Sequence, residues 1–412
     1  MTPTLDRIRS SSRRWVPPRE RLRTALLRWA PGARRRRPHA LDDSEGFGPP
    51  LAAAKSGLRL LLIRPDHLGD VVLAGPTVAR LRAALPDAHL TLLVGPWSEG
   101  VAALLPAVDH LLVTPFPAFA RGHRPSLAAR YGPLFATARL LHRARYDAAL
   151  ILRDDDWWSA WLTALARIPR RIGHDHPALR PFLTHVLPAS HAPRHVTAAS
   201  LALADAALGT HRPPADPARD PLALRMSDAQ HRAARALLDP THPSDVLGMR
   251  LPLAIHPGSG SPIKRWHIGD WGEVARTLTD SDEPVVLTGG PDERDLTAAV
   301  ARQLGRPAID LAGLTDVGTL AAVFALCRLV LGPDSGPLHL AAAVGTPTVH
   351  LYGPADVRRF GPWGPPERNT AVASSLPCAP CGRLDWPAPE DHPCIRLLSP
   401  DDVVAAARRV GG

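Results

Sequence analysis

The segment RLLLIRPDHLGDVVLAGPTVARLRAAL, Arg59 to Leu85, decides the fold. Its first six residues form a short apolar run flanked by arginines, which reads as a buried strand over Arg59 to Arg64. Pro65 stops that strand, Gly69 permits a tight turn, and Val71 to Leu85 then carries apolar residues at helical spacing. The same alternation spreads in both directions. His89 to Val94, His110 to Thr114 and Asp147 to Leu152 read as further strands, with helices over Trp97 to Leu105 and Trp157 to Arg167. Strands alternating with helices of ten or more residues imply a parallel sheet covered on both faces.

Residues 210–248 break this rhythm with HRPPADPARDP and DPTHPSD around one short helix near Ala229 to Leu238. The rhythm then resumes. Strands are expected at Leu253 to His256, Pro284 to Thr288, Ala308 to Leu311, Arg328 to Leu331 and Pro347 to Tyr352. Helices are expected at Asp270 to Leu278, Asp292 to Leu304, Val317 to Ala325 and Pro337 to Ala343. A last helix starts at Ser399, with Pro400 at its first position and Asp401 and Asp402 where the helix dipole favours acids. The expectation is an α/β chain with two doubly wound Rossmann-like domains, 58–209 and 249–398, facing a central cleft. Residues 210–248 link them, and 399–412 form a C-terminal helix. Ligands in such sheets bind beyond the carboxyl ends of the strands, hence in the cleft.

Charge narrows the function. The chain has 412 residues, 49 Lys+Arg and 39 Asp+Glu, a net of +10. Residues 1–57 hold 13 of those cations and 5 of the acids, so the remaining body is nearly neutral. A nucleic-acid-binding domain would carry its basic patch on the folded body, which argues against that class. The first 57 residues, with seven prolines and no strand-like run, are expected to be a mostly disordered tail. Within it Leu22, Ala25, Leu26 and Trp29 share a helical face opposite Arg19, Arg21, Arg23 and Arg28. That pattern suits either a solvated arm or a peripheral contact with an anionic membrane. No apolar run approaches the roughly 18 residues needed to span a bilayer. With four cysteines and no signal-peptide pattern, a cytoplasmic location is expected, at most peripheral at the inner face of the membrane.

Three segments carry chemistry. In RPDHLGDVV, Arg64 to Val72, Asp70 reads either as a helix-capping carboxylate or as a general base at the helix N-terminus. In HPGSGSPIKRW, His256 to Trp266, small residues expose backbone N–H groups beside Lys264 and Arg265, which suits a diphosphate. Lys264 stands out because the chain has only two lysines, Lys55 and Lys264. In GPDSGPLH, Gly332 to His339, a turn enters a helix whose N-terminus attracts phosphate, although Asp334 and Ser335 are also ordinary capping residues.

Together with TGGPDE at Thr288 to Glu293, LAGLTDVGTLAAVFALC ending at Cys327, and the block from Gly332 to Pro354, these segments resemble glycosyltransferase family 9. Its members include heptosyltransferases that use ADP-heptose in lipopolysaccharide core assembly. The resemblance runs from about Leu58 to Val410. It implies a GT-B fold and an inverting transfer of heptose or a related sugar from a nucleotide-diphosphate donor to a cell-envelope glycan hydroxyl. Asp70 and Lys264 stand where the family keeps its catalytic base and its leaving-group cation. Ser259, Gly260, Ser261, Glu293, Asp334, Ser335, Gly336 and His339 fall in its nucleotide-sugar site. No cofactor is expected beyond the donor, and the enzyme is expected to be a monomer. Alternatives are a GT-B epimerase or hydrolase acting on the donor alone, and an inactive membrane-associated scaffold.

One acidic cluster departs from the family pattern, whereas the C-terminal cysteine cluster belongs to the resemblance. Asp154, Asp155 and Asp156 follow the fourth strand, where they crowd a helix N-terminus, bind acceptor hydroxyls or hold a divalent cation. Transfer without a catalytic metal is expected, with Asp66, His67, Asp154 and Asp155 as candidate acceptor contacts. Cys378, Cys381, His392 and Cys394 have spacing compatible with one structural zinc ion or with free reduced thiols. Trp157 and Trp161 read as packing residues, and Cys327 as core.

Overall fold

The computed structural model describes residue 30 and residues 38–41, 50–53, 57–117, 119, 126–188, 195–238, 251–384 and 392–411. The basic amphipathic segment at 19–30 lies outside these residues apart from Ala30, as do Lys55 and positions 239–250 of the linker.

Two parallel sheets form the frame. The first contains β1 (His39–Ala40), β2 (Arg59–Arg64), β3 (His89–Val94), β4 (His110–Val113), β5 (Ala148–Ile151), β6 (Arg170–His174) and β7 (His185–Leu187), in the order β1-β7-β6-β5-β2-β3-β4. The second contains β8 (Leu253–Ile255), β9 (Val285–Leu287), β10 (Ile309–Asp310), β11 (Leu329–Pro333), β12 (Thr348–Tyr352) and β13 (Asn369–Ala373), in the order β10-β9-β8-β11-β12-β13. Leu60, Leu61, Leu62 and Ile63 of β2 are fully buried because helices cover both faces. The longer helices are α1 (Leu68–Ala84), α2 (Leu127–Ala144), α3 (Trp157–Leu165), α4 (Val196–Leu208), α5 (Asp228–Leu238), α6 (Ile268–Leu278), α7 (Arg294–Leu304), α8 (Val317–Ala325), α9 (Gly336–Ala343) and α10 (Pro400–Val410).

In each sheet the chain reverses its lateral direction beside the first strand of that half. β2 lies between β5 and β3, and β8 lies between β11 and β9. A crevice opens at such a point, because the loops after the two flanking strands diverge to opposite faces. The loops after β2, β5, β8 and β11 are those that carry the sequence motifs.

Three observations correct the sequence reading. The tail was expected to contain no strand, yet His39–Ala40 pairs in parallel with β7 and Leu51 is fully buried. A two-residue edge strand has too little periodicity to read. Gly69 lies inside α1 and is not among the glycines with positive φ, so the turn does not require it there. Part of the expected linker packs on the second half, since Gln230 of α5 covers Gly318 of α8, where an added Cβ would meet the amide nitrogen at 1.9 Å. Trp161 stacks on Trp157 and Phe182 at ring distances of 6.2 Å, which is packing, and Cys327 is buried.

Candidate active site

Arg64, the last residue of β2, organises the first wall. Its side chain is 4% exposed and reaches three acceptors: Nη1 donates to Leu152 O at 3.1 Å, Nη2 to Asp70 Oδ1 at 3.1 Å, and Nε lies 3.0 Å from Asp66 Oδ2. Asp70 is the third residue of α1, and the position before the helix is His67, so Asp70 is not the cap. Its carboxylate is 24% exposed, held on one oxygen by Arg64. The backbone before it is pinned as well. Trp97 Nε1 and Ser98 Oγ both donate to Asp66 O at 2.8 Å, and the His67 ring lies 5.6 Å from that of Trp97.

The three acids after β5 have separate partners. Asp154 accepts from Arg359 Nη2 through both oxygens at 2.8 Å, across the cleft. Burial pushes the Asp154 carboxyl up, but the Arg359 guanidinium more than offsets this and holds it below its ordinary range. Asp155 pairs with Arg153, which also pairs with Asp66. Asp156 caps α3 by accepting from Ser159 N at 3.1 Å, and its burial raises its carboxyl to about 6.

On the opposite wall the loops after the adjacent strands β8 and β11 converge. Lys264 Nζ donates to Asp334 Oδ2 at 2.6 Å, with the two side chains 20% and 9% exposed. Ser259 Oγ donates to Ser261 O at 2.6 Å and accepts from Ser261 N at 3.2 Å, which fixes the loop around exposed Gly260. Glu293 Oε2 accepts from Gly290 N at 2.9 Å, while Oε1 lies 3.8 Å from Arg265 Nη2. Gly258 makes room for that carboxylate, because a Cβ there would lie 2.1 Å from Glu293 Oε1. Ser335 Oγ and His339 Nδ1 are buried and have no hydrogen-bond partner among the described residues. Burial holds the imidazoles of His339 and His256 down to about 4, so both are neutral at physiological pH.

The walls touch at two glycines. A Cβ on Gly69 would lie 3.0 Å from both Gly336 Cα and His339 Cδ2, and one on Gly336 would lie 2.9 Å from Gly69 N. The N-termini of α1 and α9 therefore abut across the cleft, which brings the Asp70 turn against the Asp334-Ser335 turn. The first wall carries a carboxylate able to accept a proton, and the second a lysine able to neutralise an anion. Every nucleotide-site residue expected from sequence lies on this second wall. Arg64, Gly258 and Arg359 were not singled out. An arginine ending the first strand was the only available signal among them.

Known proteins show the family of the chain. The sequence model of glycosyltransferase family 9 (heptosyltransferase) matches residues 134–387, more than half of the chain. The chain belongs to glycosyltransferase family 9. Lipooligosaccharide heptosyltransferase 2 of Haemophilus ducreyi is 26% identical over 307 residues, 72% of this chain and 84% of the relative. The match to lipooligosaccharide heptosyltransferase 2 of Campylobacter jejuni is more local, 29% over 162 residues, 38% of this chain and 50% of that relative's length. The crystal structure of the family 9 glycosyl transferase of Veillonella parvula superposes with a TM-score of 0.69 at 22% identity, covering 87% of this chain and 99% of that one. The structure of E. coli ADP-heptose LPS heptosyltransferase II gives 0.66 at 21%, covering 86% and 98%. This glycosyltransferase thus has the two-domain GT-B fold expected from its sequence. Among its described residues no helix is long and apolar enough to cross a membrane.

Proposed function

We propose that this family 9 glycosyltransferase moves a heptose from ADP-heptose to a hydroxyl of a lipopolysaccharide-like acceptor, with inversion at the anomeric carbon. The observation that supports the reading is the abutment of Gly69 and Gly336, which brings the turn that bears Asp70 against the turn that bears Asp334 and Ser335. The names of the relatives supply the sugar: heptosyltransferase 2 for the curated proteins, and ADP-heptose for the E. coli structure.

In this mechanism Asp70 takes the proton of the acceptor hydroxyl as its oxygen bonds to the anomeric carbon. The bond from that carbon to the diphosphate breaks on the opposite side, and Lys264 receives the negative charge that leaves with it. Donors in the Ser259–Ser261 loop and at the N-terminus of α9 hold the phosphates. Glu293 and Arg265 face the nucleoside. Asp154, Asp155 and Asp156 are each engaged by arginine or by a helix terminus, which supports transfer without a divalent cation at these acids. His67 at the floor of the first wall is proposed as an acceptor contact, with the enzyme acting as a monomer; Asp66, expected as another, is 1% exposed and held between Arg64 and Arg153, which closes it to an acceptor.

Incubating the full chain with ADP-, GDP- and UDP-sugars and a heptose-bearing core oligosaccharide, read by product mass, tests the proposal. A product heavier by one heptose, formed with ADP-heptose alone among the donors, is expected. Conversion of donor without acceptor would favour the epimerase or hydrolase reading instead. Residues 1–37 carry 12 arginines and 2 acids, which supports peripheral contact with an anionic membrane. Vesicle binding should fall when 1–37 are deleted, a cut that spares β1 and Leu51; unchanged binding would refute the contact.

A further inference from the structure

Between β13 and α10 the described chain has one helical turn, Pro393–Arg396, yet His392 is 3% exposed and Cys394 is fully buried. They are buried against each other and against Cys381. Cys381 Sγ lies 3.7 Å and Cys394 Sγ 3.9 Å from the same atom, His392 Nε2. One ligand atom from each of the three residues falls within 4.8 Å of the others, and the Cys378 thiol also interacts with Cys394. The four cysteines of the chain are all unbridged.

These distances have a specific meaning. A tetrahedral zinc ion bound at about 2.3 Å to sulfur and about 2.0 Å to nitrogen sets sulfur and nitrogen about 3.5 Å apart. The observed separations are those of tetrahedron edges slightly relaxed, with Nε2 aimed between two thiols. The geometry points to a structural zinc site formed by Cys378, Cys381, His392 and Cys394. Its closed three-sulfur, one-nitrogen set leaves no position for substrate, so the ion is a brace.

The brace acts on the cleft through the backbone. A Cβ on Gly353 would lie 2.9 Å from Ile395 N and 3.2 Å from Cys394 Cβ, and Gly382 N donates to Pro354 O at 2.8 Å. The zinc loop therefore clamps the turn after β12, from which Arg359 reaches Asp154. The ion adds a second hold on a segment otherwise anchored by buried Ile395 and Leu398.

Metal analysis of the full chain, purified under reducing conditions without chelator, should find one zinc per chain, released when the thiols are modified with a mercurial. Cys381→Ser and Cys394→Ser should each weaken zinc affinity by roughly 100-fold or more, since loss of an outer partner alone costs 10–100-fold. Cys327→Ser, outside the cluster, should keep its zinc. Should the buried variants fail to fold, Cys378→Ser at the exposed ligand carries the same test, and cobalt added to the metal-stripped chain should give a thiolate-to-cobalt charge-transfer band. Absence of bound metal even after addition of zinc chloride, or a Cys381–Cys394 disulfide by mass spectrometry, would overturn the site. One iron per chain would overturn the choice of ion.

Discussion

Lys264 shows how one side chain can hold a site ready. Its ammonium rests on Asp334 at 2.6 Å, so the wall proposed to receive a diphosphate carries a neutralised pair in place of an exposed cation. A phosphate arriving between them gains the ammonium and meets a carboxylate at the same time. Lys264→Ala removes the attraction and leaves Asp334 facing the phosphates alone. A hydrogen bond to a charged group contributes about 1.5–3 kcal/mol, so ADP affinity measured by calorimetry should fall roughly 10- to 100-fold. Unchanged affinity would place the diphosphate elsewhere. The uniqueness of this lysine in the folded body was readable in the chain, whereas Gly258 was not. Its role exists only because Glu293, 35 positions later, returns over it.

At the scale of elements, α3 illustrates a cap bought at an electrostatic cost. Asp156 satisfies the helix end through Ser159 N, but burial raises its carboxyl to about 6, so its charged form is disfavoured in the fold. A raised folded-state value gives stability that is present at acid pH and lost as pH rises through about 6. Asp156→Asn keeps an oxygen for the cap without the charge. Its stability relative to the parent should therefore be higher at pH 8 than near pH 4, as read by urea denaturation; the opposite trend would refute the burial argument. Elements differ in how plainly they announce themselves. β2 and β3 have the bounds expected from sequence, because their largely apolar runs end at polar or turn residues. β6, RRIGH, and α2, which contains Pro133, were missed because arginines interrupt their apolar patterns. Arg171 of β6 is buried only because it donates to Phe182 O and Ile168 O at 2.6 Å, partners that no local pattern reveals.

Across the whole molecule, burial keeps several imidazoles neutral. His174, His195, His256 and His339 are each lowered to about 4 by desolvation. A depressed imidazole value means that the unfolded chain takes up protons below about pH 6.5 that the folded chain refuses. Stability is thus full above pH 6.5 and falls as pH drops toward 4, against the smaller opposite trend of Asp156. Each histidine contributes on the order of 1–2 kcal/mol of this loss by pH 5. The thermal midpoint should fall by more than about 5 °C between pH 7 and pH 5, and an unchanged midpoint would contradict it. The cleft itself was partly legible. Both walls carry motifs in the sequence, but the Arg359–Asp154 pair joins residues 205 positions apart, and only the fold brings them together.

Asp70 is the group proposed to take the acceptor proton. Asparagine at that position still accepts from Arg64 and preserves the contact between Gly69 and Gly336, so the test isolates the base. Turnover of Asp70→Asn with ADP-heptose and a core acceptor should fall by about 10²–10⁴-fold, the usual worth of a general base, while ADP affinity stays within about twofold by calorimetry. A variant whose turnover stays within about tenfold of the parent would contradict the account.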